Sequence, residues 1–149
     1  MKTIEIISVP VTNQEKSKEF YLKLGFVVTV EIPLGNGLKW LQLGVPGQST
    51  SISLVSKWPY EQVSMAPGSL QGIILQTDDI QGEAKKLKEL GIEFGIVRTD
   101  GFKSGEIDQT PWGKFTHFTD RDGNGLSLHQ AETNPRQISE VRCNFNGRK

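Results

Sequence analysis

Two stretches of this chain repeat one another. Residues 11–26 (VTNQEKSKEFYLKLGF) and 77–92 (TDDIQGEAKKLKELGI) align at an offset of 66. An internal period of that kind points to one supersecondary unit used twice. Each copy reads as a strand end, a capped helix, a Leu-Gly ending and a new strand. Thr12 with Glu15, and Asp78 with Gln81, have the spacing by which a cap side chain and the third helical residue satisfy the first free amides. Gly25 and Gly91 lie where a left-handed residue ends a helix. Ser17, Phe20, Tyr21 and Leu24 share one stripe of the first helix, and Ile80, Ala84 and Leu87 one stripe of the second.

Strands are expected around each helix. Residues 4–11 precede the first, and 26–33, 38–44 and 50–55 follow it, separated by Gly35-Asn36-Gly37 and Pro46-Gly47. Residues 72–77 precede the second, and 92–98, 114–119 and 125–130 follow. Each half is therefore a β-α-β-β-β unit: module one at 3–56, a linker at 57–69 and module two at 70–131, together a single domain over 1–132. Residues 99–113 read as a long loop able to act as a lid. Residues 133–149 are a polar tail without periodicity.

Charge excludes several partners. Seventeen basic residues balance seventeen acidic ones, and neither sign clusters. No nucleic acid and no anionic membrane surface is expected to bind. The apolar runs are too short for a spanning helix, and the first strand carries Glu5 where a secretory leader would be apolar. Cys143 stands alone, so neither a disulfide framework nor a cysteine zinc site is available. A cytoplasmic location is the expectation.

The ordered motifs resemble the vicinal oxygen chelate superfamily, which includes glyoxalase I, bleomycin-resistance proteins, extradiol dioxygenases and fosfomycin-resistance enzymes. The residues that carry the likeness are Val9-Pro10-Val11, Ser17, Phe20-Tyr21 and Leu24-Gly25-Phe26 in the first half. In the second they are Thr77-Asp78-Asp79, Leu90-Gly91 and Phe118-Thr119-Asp120-Arg121-Asp122-Gly123-Asn124-Gly125. The resemblance implies an α+β fold in which two tandem βαβββ modules form a curved mixed sheet with an open cleft. It also implies a homodimer. Metal-dependent members hold a divalent cation with four side chains, whose positions carry over to Ile6, Ser53, Gly72 and Ser127. None is the His, Gln or Glu that the chemistry needs. No metal and no other cofactor is therefore expected.

Alternation along the strands sorts the remaining candidates. Ile7, Val9, Leu41, Leu43, Ile52, Leu54, Leu126 and Leu128 should face the helices. Ile6, Ser8, Trp40, Gln42, Ser53, Gln76, Ser127 and His129 should share the other face, mixing apolar area with a few hydrogen-bonding groups as small-molecule sites do. Trp112 joins these as a ligand-binding candidate, and Trp58, Tyr60, Met65 and Phe102 are further loop residues able to cover a ligand. Pairing Phe118 with Leu128 would set His117 directly opposite His129, an arrangement suited to acid–base work near neutral pH. Residues 120–125 mimic the start of a calcium loop, yet its twelfth position would be Ala131, and a hairpin turn is the better reading. Two functions follow. One is a metal-free protein that binds a small, partly aromatic molecule. The other is a glyoxalase-like lyase or isomerase, or a dioxygenase, with a non-standard site at His117 and His129.

Overall fold

A computed structural model describes residues 1–57 and 65–132. The chain forms an α+β structure of two compact units. Among the described residues, the first comprises Met1–Gly72 with Thr119–Gly125; the second comprises Ile73–Phe118 and Leu126–Glu132. Trp58, Tyr60, Cys143 and the polar tail lie outside the described residues.

In the first unit, β1 (Ile6–Pro10), α1 (Gln14–Lys23), β2 (Val27–Gly35), β3 (Leu38–Gly44) and β4 (Ser51–Val55) build a four-stranded mixed sheet. The strand order is β1-β4-β3-β2, with β1 parallel to β4 and the other pairs antiparallel. A parallel neighbour for β1 requires a crossover, and α1 lies within it. Val9, Leu41, Leu43 and Leu54 are at most 1% exposed. They form the core with Val11, Tyr21 and Phe26, and Tyr21 stands edge-on to both Phe20 and Phe26 at 5.3 Å.

The second unit holds β5 (Ile73–Gln76), α2 (Ile80–Glu89), β6 (Gly95–Arg98), β7 (Gly101–Ser104), β8 (Asp108–Thr110), β9 (Gly113–Thr119) and β10 (Gly125–Ala131). Its sheet runs β5-β10-β9-β6-β7, with β8 also paired to β9 and β5 parallel to β10. Ile80, Ala84 and Leu87 are buried on α2, alongside Phe94, Ile96, Phe118, Leu126 and Leu128.

Both helix ends follow the repeat. Gly25 (φ 102°) and Gly91 (φ 73°) take left-handed conformations. The amides of Phe26 and Ile92 donate to the carbonyls of Tyr21 and Leu87, and those of Gly25 and Gly91 to Leu22 and Lys88. This closes the last turn in each copy with the same pair of bonds.

Three expectations need correction. The caps are Asn13 and Asp79, one residue later than Thr12 and Asp78; their side chains accept from the amides of Lys16 and Gly82. At the first helix Thr12 is engaged elsewhere: its amide and hydroxyl both donate to Asp122 Oδ1, at 3.1 and 2.7 Å. The stretch 99–113 is no simple loop, because β7 and β8 form within it. Alternation there is too short to detect: the strands have four and three residues. The hairpin register also differs, as described next.

Candidate functional site

On β1, β4 and β3, Ser8 pairs with Ser53 and Ser53 with Gln42, so three polar side chains stand abreast on one face of the first unit's sheet. Trp40 follows at the next position on that face, and its indole Nε1–H donates to Gln42 Oε1 at 3.2 Å. Ile6, half-buried, is paired with Ser51. These five sequence candidates are therefore brought together on one face.

Burial across this face is uneven. Trp40, Gln42 and Ser8 are half-buried, whereas Ser53 is 1% exposed. Among the described residues, three buried side-chain atoms have no hydrogen-bond partner: Ser17 Oγ, Ser53 Oγ and Asp122 Oδ2. Ser17 lies on α1 and Asp122 in the 119–125 turn, which leaves Ser53 as the orphan on the sheet face. An unsatisfied buried hydroxyl costs about 1–3 kcal/mol. Nothing in the sequence marked Ser53 as unpaired, since that depends on which neighbours point away.

The second unit carries the other candidates. Ser127 pairs with Ile74 and His129 with Gln76 across β10 and β5. His117 Nδ1 lies 2.5 Å from Ser127 Oγ, and the His129 ring stacks on Phe115 at 4.3 Å with the planes 14° apart. The two histidines are thus diagonal neighbours with different partners, and the expected direct opposition does not occur. The cause lies in the turn. Asp120 Oδ1 accepts from the amides of Asp122 and Asn124, and the Asp120 amide bonds the Asn124 carbonyl at 3.0 Å. This centres the turn on Asp122 and moves His129 past His117 while keeping both on one face. The same bonds make 120–124 a hairpin turn, as its composition implied. Phe115 is the residue that sequence reasoning missed, although its alternation with His117 places it on that face.

Trp112 is 57% exposed between β8 and β9, and its carbonyl lies 3.3 Å from His129 Nε2. Gly113 beside it has φ 139°, and a Cβ there would meet Gln130 O at 2.2 Å and His129 Nε2 at 2.9 Å. Phe102 and Met65 are exposed.

The first unit also has a depression of about 610 Å³ at the start of α1, lined by Thr12, Asn13, Glu15, Glu31, Leu38 and Lys39. Lys39 precedes Trp40 and so belongs to the opposite face. Its ammonium is paired with Glu15 and, at 3.2 Å, with Glu31, which also holds Lys18 at 2.7 Å. These charges are already satisfied by one another.

The donor set does not suit a metal ion. Among the described residues no group of three or more His, Cys, Asp or Glu side chains converges. Ile6 and Gly72 have no donor atom in their side chains, and Ser53 and Ser127 offer neutral hydroxyls, of which Ser127 is engaged by His117. Within the described residues no helix is long and apolar enough to cross a membrane.

Comparison with known proteins agrees with this architecture. The uncharacterized protein YetH of Bacillus subtilis (strain 168) is 33% identical over 134 residues, covering 87% of this chain and 99% of YetH. The crystal structure of TnmS3, an antibiotic binding protein from Streptomyces sp. CB03234, superposes with a TM-score of 0.72 at 35% identity, covering 89% of this chain and 98% of TnmS3. A glyoxalase/bleomycin resistance protein from the same Streptomyces is 37% identical with a TM-score of 0.65, covering 84% of this chain and 97% of its own. The model of the Glyoxalase/Bleomycin resistance protein/Dioxygenase superfamily matches residues 3–128, and the chain belongs to that superfamily.

Proposed function

We propose that this chain binds a small, partly aromatic molecule without a metal and releases it unchanged. The observation that carries the proposal is the face formed by Ser8, Trp40, Gln42 and Ser53, which combines a flat apolar ring with neutral polar groups and no ionisable side chain. Ile6 belongs to the same proposed contact surface. In the second unit the proposed contacts are Gln76, Ser127 and His129, with Trp112. The likeness to TnmS3, an antibiotic binding protein, supports the reading.

A second reading, a lyase, isomerase or dioxygenase acting near His117 and His129, draws on the hydrogen bond between His117 Nδ1 and Ser127 Oγ. It is weakened by the diagonal placement of the histidines, since His129 is stacked on Phe115 rather than paired with His117. We also propose a homodimer. Support comes from β2, the edge strand of the first sheet, on which Val27, Val28, Ile32 and Leu34 are all exposed.

The test is a thermal-shift screen of chelator-treated protein against aromatic antibiotics, followed by mass analysis of whatever the protein retained. Recovery of an intact compound supports binding without turnover. Conversion to product would favour the enzyme reading.

A further inference from the structure

The polarity of the Trp40 face selects one kind of ligand atom. An indole N–H can only donate, so the Gln42 atom that meets it at 3.2 Å must be the carbonyl oxygen. That contact fixes the orientation of the amide, with its oxygen toward Trp40 and its NH2 group as the free end. Ser53 Oγ, 1% exposed residue and all, has no partner among the described residues, and Ser53 is the register neighbour of both Gln42 and Ser8. Two hydroxyls and one amide NH2 are therefore gathered on adjacent strands, with no carboxylate and no cation among them.

We propose that this row is a subsite for a neutral hydrogen-bond acceptor, a carbonyl-type oxygen carried on a flat apolar frame that lies against Trp40. The inference rests on the binding function proposed above and adds the ligand's chemical class to it. Neutral donors suit an uncharged oxygen: a carboxylate or phosphate desolvated here would have no cationic partner. A ligand that offered only a donor would leave the Gln42 NH2 group unpaired beneath it. Burial makes the choice sharp, because a donor left unpaired beneath a bound ligand loses its water without compensation. Ser53, whose hydroxyl has no partner among the described residues, is free to donate to that oxygen, and the Gln42 NH2 group can donate only.

The probes are 9-fluorenone and fluorene, which share a frame and differ in one carbonyl oxygen. Each is titrated into isotope-labelled full-length protein in dilute dimethyl sulfoxide, following the Trp40 indole and Gln42 side-chain amide resonances. Fluorenone is expected to bind roughly tenfold more tightly than fluorene, the value of one well-made buried hydrogen bond. Ser53→Ala should bring fluorenone down to the affinity of fluorene while leaving the melting temperature of the free protein equal or higher, since the hydroxyl it removes is unpaired. A merely structural serine would lower the melting temperature and leave the ratio of the two probes intact. Gln42→Glu, which keeps an acceptor for Trp40 and replaces the free donor, should weaken fluorenone selectively and serves if Ser53→Ala does not fold. Equal affinities for the two probes would overturn the acceptor preference and leave the binding function standing. If neither probe moved the Trp40 resonance, both would fall.

Discussion

Tyr21 on α1 donates its phenolic hydrogen bond to Asp120 Oδ2 at 2.9 Å, across 99 positions of sequence. The partner lies in the 119–125 segment that belongs to the first unit. Tyr21 is fully buried and Asp120 is 5% exposed. Burial, then the nearby Asp120 carboxylate, its hydrogen bond and the charge of Asp122, together raise the Tyr21 hydroxyl well above its ordinary value of 10.0. In the folded chain it stays protonated where the unfolded chain would ionise. Stability from this group is thus fully present below pH 10 and drains away as pH climbs above it, by up to about 1.4 kcal/mol per pH unit. Urea unfolding between pH 8 and 11 should show that loss in the wild type and a shallower one in Tyr21→Phe. Parallel curves would refute the linkage.

Asn124 is the other anchor of the same segment. It is fully buried, its Nδ2 donates to Pro10 O and Asp120 Oδ2 at 2.8 Å each, and its Oδ1 accepts from the Leu70 amide. Asn124→Ala strands each of those groups, and a loss of about 2–4 kcal/mol is expected. Chemical denaturation checks it; a change below about 0.5 kcal/mol, typical of surface positions, would mean the contacts are dispensable.

Much of this architecture was legible because it is periodic. The two Leu-Gly helix endings, the buried stripe of α2 and the bounds of β3 follow directly from spacing and alternation. Of the residues expected to face the helices, Val9, Leu41, Leu43, Ile52, Leu54, Leu126 and Leu128 are buried and Ile7 is half-buried, while Ser53 and Ser127 on the alternate positions are buried as well. What was hidden depends on single side-chain bonds. Asp122 engages Thr12, Asp120 shifts the hairpin register, and Gln42 turns its oxygen to Trp40. No window of sequence reports such choices, because the competing partners are distant or equivalent in composition. The face that holds Trp40 could be read in advance, but the unpaired state of Ser53 could not.

Assembly is open to a direct check. Sedimentation at micromolar concentration should give a species near twice 16.6 kDa. Ile32→Lys, which places a charge among the exposed apolar residues of β2, should shift it toward the monomer without lowering the melting temperature of that monomer. A wild type that remains monomeric at every concentration would remove the dimer from the account.

The central claim is metal-free binding at Trp40, and one titration addresses it. The compound that most stabilises the protein in the thermal screen is added to wild type and to Trp40→Ala, each with and without excess EDTA, and read by calorimetry. The account predicts the same affinity with and without chelator, metal content well below about one-tenth of an equivalent given the ligand count, and at least several-fold weaker binding to Trp40→Ala from loss of the ring's contact area. Binding abolished by EDTA and untouched by Trp40→Ala would contradict it.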